Sequence, residues 1–172
     1  MERYTQALCR EMTLEQWRPD YVVGLTRGGL TPAVMVSQYL DIPMYALKVS
    51  LRDAVEDCES NLWMAEEAFG YVNQEDQTVM NCRWDPSLRK NILILDDIND
   101  SGATFNWIRD DWQSSCMPAE TEAWKTVWNH NVRFAVLVNN ETSGFKDIDY
   151  SALTVNKLED PQWIIFPWEQ WW

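Results

Sequence analysis

The stretch Ile92-Leu93-Ile94-Leu95-Asp96-Asp97-Ile98-Asn99-Asp100-Ser101-Gly102-Ala103-Thr104 limits the possible folds more than any other part of the chain. Its aliphatic opening has no polar face, so the strand it forms over Asn91 to Leu95 is buried on both sides, as in a parallel sheet. Asp96 and Asp97 end that strand, a turn of small residues follows, and Ala103 to Trp112 reads as the next helix. Open α/β sheets gather ligands at the carboxyl ends of their strands, where this turn falls. The amides of the turn, the Ser101 and Thr104 hydroxyls and the helix N-terminus form a cradle for phosphate, and Gly102 lets the backbone come close. Two adjacent acids repel phosphate; they accept hydrogen bonds from vicinal hydroxyls or help to hold hydrated Mg²⁺. A phosphate cradle beside such a grip describes a site for a ribose 5-phosphate. A helix cap alone accounts for Asp100 or Ser101 but not for the whole string.

The remaining chain supplies the other elements of an α/β domain. Residues 4–17 form a helix followed closely by Pro19, and Tyr21 to Leu25 is a short apolar strand. Thr26-Arg27-Gly28-Gly29 makes a glycine-bearing turn, Leu30 to Leu40 a helix with Pro32 in its first turn, and Pro43 to Val49 a second strand. This is a βαβ order, and it predicts a Rossmann-like parallel sheet flanked by helices. Residues 51–90 interrupt the rhythm with an acidic, polar stretch; a structureless loop of that length is unusual, so local structure or a mobile lid is expected there. Glu120 to Trp128 reads as a helix, Phe134 to Val138 as a buried strand and Ser151 to Val155 as the last strand, before a Trp-rich tail.

With 172 residues, 46% of them hydrophobic, the chain is expected to be one domain over 1–172 with a continuous core. No apolar run approaches a membrane span, and the N-terminus has no apolar leader core, which predicts a cytoplasmic protein without membrane partners. The four cysteines are scattered, so reduced, buried thiols are expected rather than disulfides or zinc. His130 sits in a polar stretch that reads as a surface loop. A net charge of −13, from 14 Lys plus Arg against 27 Asp plus Glu, excludes nucleic acid as a natural partner. It also repels an anionic substrate, which must therefore be held by local donors and a metal.

At residues 92–104 the sequence strongly resembles the type I phosphoribosyltransferases, whose signature is an apolar strand, an acidic pair and a D-[ST]-G-x-T phosphate loop. The resemblance implies that phosphoribosyl pyrophosphate (PRPP) and Mg²⁺ bind here. Asp96 and Asp97 then face the ribose hydroxyls, and Asp100, Ser101, Gly102, Ala103 and Thr104 hold the 5-phosphate. Asp100 takes the place of the family carboxylate near the purine N7, a candidate catalytic acid or base. Thr26, Arg27, Gly28 and Gly29 correspond to the pyrophosphate loop; bacterial xanthine–guanine enzymes carry a similar S-R-G-G-L. The tail Trp163-Ile164-Ile165-Phe166-Pro167-Trp168-Glu169 is similar to their W-I-x-x-P-W-D. By that match Trp163 stacks on the base, Ile164 offers main-chain contacts, and Glu169 joins Asp96 and Asp97 near the metal. Trp168, Trp171 and Trp172 are expected to pack. The fold implied is the type I phosphoribosyltransferase fold, with a lid or insertion at about 50–90 and a hood and base-binding tail at about 145–172. The activity implied is purine salvage by a homo-oligomer.

The resemblance has gaps. Enzymes for 6-oxopurines place a lysine just after the penultimate strand, where it donates to the base O6; here Asn139-Asn140 follows. An ammonium only donates, whereas an amide donates or accepts, so Asn139 near position 6 would loosen specificity. Lys125 or Lys146 are alternative sources of the missing cation. The Ser-Tyr of the lid is also absent; Lys48, Ser50 and Arg52 offer donors in its place. Other acceptors (adenine, a pyrimidine, nicotinamide) and a non-catalytic PRPP-binding regulator remain open on the sequence.

Overall fold

A computed structural model describes residues 2–50, 57–58, 61–72 and 84–169. In chain order the elements are α1 (Glu2–Leu14), β1 (Tyr21–Leu25), α2 (Leu30–Leu40), β2 (Met44–Leu47), β3 (Val49–Ser50), β4 (Asp57–Cys58) and α3 (Leu62–Phe69). They continue with β5 (Ile92–Asn99), α4 (Ala103–Ser115), α5 (Thr121–Trp124), β6 (Val132–Asn140) and β7 (Tyr150–Val155). Five strands form one all-parallel sheet in the order β2-β1-β5-β6-β7, while β3 and β4 make a separate antiparallel pair. The strand order reverses between β1 and β5, which opens a crevice at their carboxyl ends.

Side chains alternate across the sheet and divide the core in two. Ile92 and Ile94 pack with Val23, Phe134, Phe105, Ile108 and Trp112 on the face covered by α3 and α4. Leu93 and Leu95 pack with Val22, Ala135, Leu137, Leu8 and Val36 beneath α1 and α2. Burial on both faces is why these strands are uninterrupted apolar runs. On the α4 side, aromatic rings form a continuous chain: Trp124 stacks on Trp128 (centroids 5.1 Å apart), Trp128 on Phe134 (5.7 Å), and Phe134 meets Phe145 edge-on (4.9 Å). Several tryptophans thus act as core filler, each removing a large apolar area from water. Cys9 and Cys116 are buried, and burial pushes each thiol up to about 11.

Some boundaries differ from the sequence reading. The acidic pair does not end β5; the strand continues through Asp96 and Asp97 to Asn99, because β6 runs on to Asn140 and keeps pairing, with Asp96 opposite Val136 and Ile98 opposite Val138. α1 starts and stops earlier than expected. The helix expected over 120–128 shortens to α5, after which turns carry Trp128 back into the core. Within the acidic stretch, α3 docks Met64, Ala65, Ala68 and Phe69 in the core. The expected lid lies largely outside the described residues, as does Arg52; Ser50 closes β3. His130 is exposed in the turn before β6. No helix among the described residues is long and apolar enough to cross a membrane.

Candidate active site

The loops that follow β1 and β5 meet at the strand-order reversal. Gly24 pairs with Leu95, so Thr26 to Gly29 leaves the sheet beside Asp96 and Asp97. The contact is close: a Cβ on Gly28 would lie 1.9 Å from Asp97 Oδ2, and one on Gly29 2.3 Å from the Leu95 carbonyl. Glycine at 28 is therefore required by the carboxylate and not by its φ. The Thr26–Arg27 peptide bond is cis. Thr26 N donates to Leu47 O (3.0 Å) and Gly29 N to Leu25 O (2.9 Å), but the amides of Arg27 and Gly28 meet no acceptor among the described residues. The Arg27 side chain is exposed. The loop thus offers two amides and a guanidinium fork to an anion.

Asp97 is the electrostatic centre of the crevice. Burial holds its carboxyl above the ordinary carboxylate range, and the Glu169 carboxylate raises it further. Hydrogen bonds from the Asp96 side chain and the Ile98 backbone oppose the shift. Asp96 Oδ1 accepts from Asp97 N at 2.9 Å, so the two acids are tied together.

After β5, Gly102 adopts φ +84° and caps α4. A Cβ there would meet Phe145 N at 2.3 Å and Ser143 Oγ at 2.7 Å, so both the left-handed conformation and the space demand glycine. Of the amides from Ser101 to Thr104, only that of Ala103 finds an acceptor among the described residues, the Ser101 hydroxyl at 3.3 Å. No side chain caps α4. An uncapped helix N-terminus with free amides, at the carboxyl edge of the sheet, offers donors that suit an anion.

The ends of β6 and β7 hold residues the sequence reading missed. Asn140, 6% exposed, is a hub: its Nδ2 donates to the Asp100 carbonyl (3.1 Å), and its Oδ1 accepts from Thr142 Oγ1 (2.9 Å) and Lys157 N (3.2 Å). Lys157 Nζ lies 2.9 Å from Asp100 Oδ1. Asn139, the residue expected at the base, is partly buried, and its Oδ1 accepts from Asn99 Nδ2 (2.8 Å); Asn99 is 1% exposed. The other candidate cations are elsewhere, Lys125 on Glu122 (2.8 Å) and Lys146 on the Glu141 carbonyl. The signal for Lys157 was its position, the first cation beyond the last strand of a parallel sheet, at the ligand-binding edge.

The tail returns to this edge. Phe166 is buried and stacks on Trp168 (5.0 Å, 5° between planes), and Ile164 packs on the same core face. Phe166 N donates to Glu169 Oε2 (3.0 Å), which fixes the acid whose charge reaches Asp97. Trp168 packs as expected; Trp171 and Trp172 lie outside the described residues. Trp163, by contrast, is 80% exposed. Among the described residues no group of three metal-ligating side chains stands ready to hold an ion. The adjacent Asp96 and Asp97, with Glu169 near enough to act on Asp97 by charge, are a donor set that would suit Mg²⁺, which keeps waters and takes one or two carboxylates together with substrate oxygens.

This geometry defines a doubly wound α/β domain whose two glycine loops meet at the strand-order reversal beside a carboxylate pair. Residues 3–170 match the family model described as phosphoribosyl transferase domain, and the chain belongs to that family. It is 28% identical to a xanthine-guanine phosphoribosyltransferase of Cereibacter sphaeroides over 153 residues, covering 89% of this chain and 70% of the relative. It is 19% identical to a xanthine phosphoribosyltransferase of Saccharomyces cerevisiae, covering 98% of this chain and 86% of the relative. Among solved structures it superposes on a purine phosphoribosyltransferase from Pyrococcus horikoshii with a TM-score of 0.62 at 22% identity, covering 98% and 88% of the two chains.

Proposed function

We propose that this protein transfers the 5-phosphoribosyl group of PRPP to a purine base, giving a nucleoside monophosphate and pyrophosphate. The observation that carries the reading is the meeting of two loops with free amides, 26–29 and 100–104, on either side of Asp96 and Asp97. One loop suits the leaving pyrophosphate and the other the 5-phosphate, with the acids between them at the ribose diol. The relatives' names favour a purine acceptor over a pyrimidine or nicotinamide.

In the reaction the bond from ribose C1 to the pyrophosphate oxygen breaks, and a bond from C1 to a base nitrogen forms. Arg27 and the amides of Arg27 and Gly28 hold the departing negative charge in a fixed frame of donors. The Ser101–Thr104 amides and the start of α4 hold the 5-phosphate and so orient C1. Asp96 and Asp97 accept from the ribose hydroxyls and stabilise positive charge developing on the sugar. The proton lost from the base passes to Asp100, whose half-exposed carboxylate lies at the same edge. Mg²⁺, held by Asp96, Asp97 and Glu169 together with substrate oxygens, would neutralise pyrophosphate charge when bound. Such a cation offsets the repulsion that a net charge of −13 exerts on an anionic substrate. Trp163 supplies a free indole face for the base and Ile164 its main chain. The proposal extends to a cytoplasmic homo-oligomer; exposed Tyr39, Tyr45 and Trp63 near edge strand β2 support an apolar interface.

The test is incubation of the protein with PRPP, Mg²⁺ and a panel of bases, followed by identification of the nucleotides formed. A nucleoside monophosphate from at least one purine, lost when Mg²⁺ is chelated, is the expected outcome. No nucleotide from any base would overturn the proposal.

A further inference from the structure

We infer that Asn140 is a positioning residue for the 100–104 loop: from the end of β6 it holds that loop so that its free amides are preset for an anion. The role rests on the transferase reading above. Asn140 is 6% exposed. Its Oδ1 accepts from the Thr142 amide (3.2 Å), the Thr142 hydroxyl (2.9 Å) and the Lys157 amide (3.2 Å). Nδ2 is therefore the side that meets Asp100, 3.1 Å from its carbonyl and 3.5 Å from Oδ1. With donors on one side and a carbonyl on the other, only this orientation of the amide pairs every group. The β5–β6 ladder ends at Asn99 opposite Asn139, so the Asn140 side chain reaches across where backbone pairing has stopped.

The next carbonyl of the loop is held in the same way, because the Gly144 amide donates to Ser101 O at 2.9 Å. Gly144 is fixed from behind. Ser143 Oγ donates to Asn99 Oδ1 (2.7 Å) and accepts from Phe145 N (3.2 Å), and Asn99 Nδ2 donates to Phe145 O (2.9 Å). The Phe145 ring anchors this bend in the core against Phe105 (5.2 Å) and Phe134 (4.9 Å). The Asp100–Ser101 and Ser101–Gly102 peptides are trans, and a planar trans peptide carries its C=O and N–H on opposite sides. Holding Asp100 O thus turns the Ser101 N–H away from Asn140, and holding Ser101 O turns the Gly102 N–H away from Gly144. Neither amide meets an acceptor among the described residues. Residues 140–145 engage the carbonyls of the loop and leave its amides for a ligand. A loop fixed before the anion arrives loses little further freedom on binding, which favours affinity.

The experiment compares the full chain with Asn140→Ala, Asn140→Asp and Thr142→Val, with ribose 5-phosphate as the calorimetric probe and PRPP with Mg²⁺ in the assay. Asn140→Asp keeps the acceptor side of the residue and loses the donor; Thr142→Val weakens the same hub without touching the loop. Both Asn140 variants should bind ribose 5-phosphate about 10- to 30-fold more weakly, the scale of one lost hydrogen bond to a buried group and a small misplacement of donors. The KM for PRPP should rise by a similar factor, since the phosphate is held alike in ground and transition states. Pyrophosphate with Mg²⁺, which the 26–29 loop serves, should bind within about twofold of the wild type, as independent sites do. Thr142→Val should lower the melting temperature and leave ribose 5-phosphate binding unchanged. Binding of ribose 5-phosphate that is unchanged in the Asn140 variants, weakened equally in Thr142→Val, or matched by an equal loss for pyrophosphate overturns the inference. If the Asn140 variants do not fold, Ser143→Ala, which frees the bend behind Gly144, replaces them; weakened ribose 5-phosphate binding supports the inference and unchanged binding refutes it. If the wild type makes no nucleotide yet binds ribose 5-phosphate, the transferase reading fails and the variants still decide the role of Asn140. A wild type that binds no ribose 5-phosphate overturns the inference itself.

Discussion

The two ends of the parallel sheet are built on opposite plans. At the amino ends of the strands, several polar side chains bond within the chain, while Tyr21 Oη, Arg89 Nη2 and Asn131 Oδ1 lie buried without a hydrogen-bond partner among the described residues. Arg133 bonds Glu15, Tyr150 and the His130 carbonyl and lies 4.8 Å from the Trp17 ring centre. Asn131 donates to the Ala68 (2.8 Å) and Lys90 (2.9 Å) carbonyls, and Asp149 accepts from Phe134 N (2.8 Å) and Asn129 Nδ2 (3.1 Å). Arg89 ties Phe69 to Thr126. At the carboxyl ends, free amides, an exposed guanidinium and a carboxyl disfavoured by burial face the crevice. Groups satisfied internally stabilise the fold, whereas the free donors that face solvent at the carboxyl ends are the ones the proposed reaction uses.

That separation can be broken experimentally, and the largest effect should come from the acidic pair. Replacing Asp96 and Asp97 together by Asn should lower kcat by about 10³-fold or more, since each group acts on developing charge. Thermal stability should hold or rise. A carboxyl raised by burial binds its proton more readily folded than unfolded, so its ionisation opposes folding as pH climbs above the ordinary carboxylate range toward the raised value. Asparagine removes that opposition, and melting of the metal-free double variant at neutral pH should show it. A clear drop in melting temperature would mean that the acids also hold the fold.

Arg133→Met should do the converse, costing about 2 kcal/mol in chemical denaturation by breaking a partly buried ion-pair network, with kcat well below the melting temperature unchanged. A matching loss of turnover would show the two ends to be coupled. Gly28→Ala sharpens the contrast inside the site. The methyl group meets only the movable end of the Asp97 side chain, so stability should change by less than about 0.5 kcal/mol. Displacement of that carboxylate should lower kcat/KM about 10- to 100-fold, because small misplacements are costly at a reacting centre. Trp163→Ala should have the smallest effect, raising the KM for the base about five- to tenfold, the worth of one aromatic contact, with melting unchanged.

Much of this plan was readable in the chain. β1 and β5 announced themselves because strands buried on both faces carry no polar residues, and the 100–104 turn because its small and hydroxyl-bearing residues together read as one phosphate cradle. The continuation of β5 through Asp96 and Asp97 was not readable: two acids look like a strand end until β6 is seen to pair with them. Asn139 and Asn140 could not be told apart, since adjacent strand residues point to opposite faces and only the register decides which one turns to Asp100. Lys157 is 57 positions from Asp100 in sequence and 2.9 Å away in space, a proximity set by where β7 ends. Glycine at 28 carried a signal, but its cause, the Asp97 carboxylate, lies on another strand.

The contact between Gly28 and Asp97 also limits how the protein can change over time. No side chain can be added at 28 while an acid stays at 97 in its present rotamer, so neither loop can drift alone. In a collection of relatives the two positions should be inherited as a unit, and a lineage that loses glycine at 28 should already have moved or given up the acid.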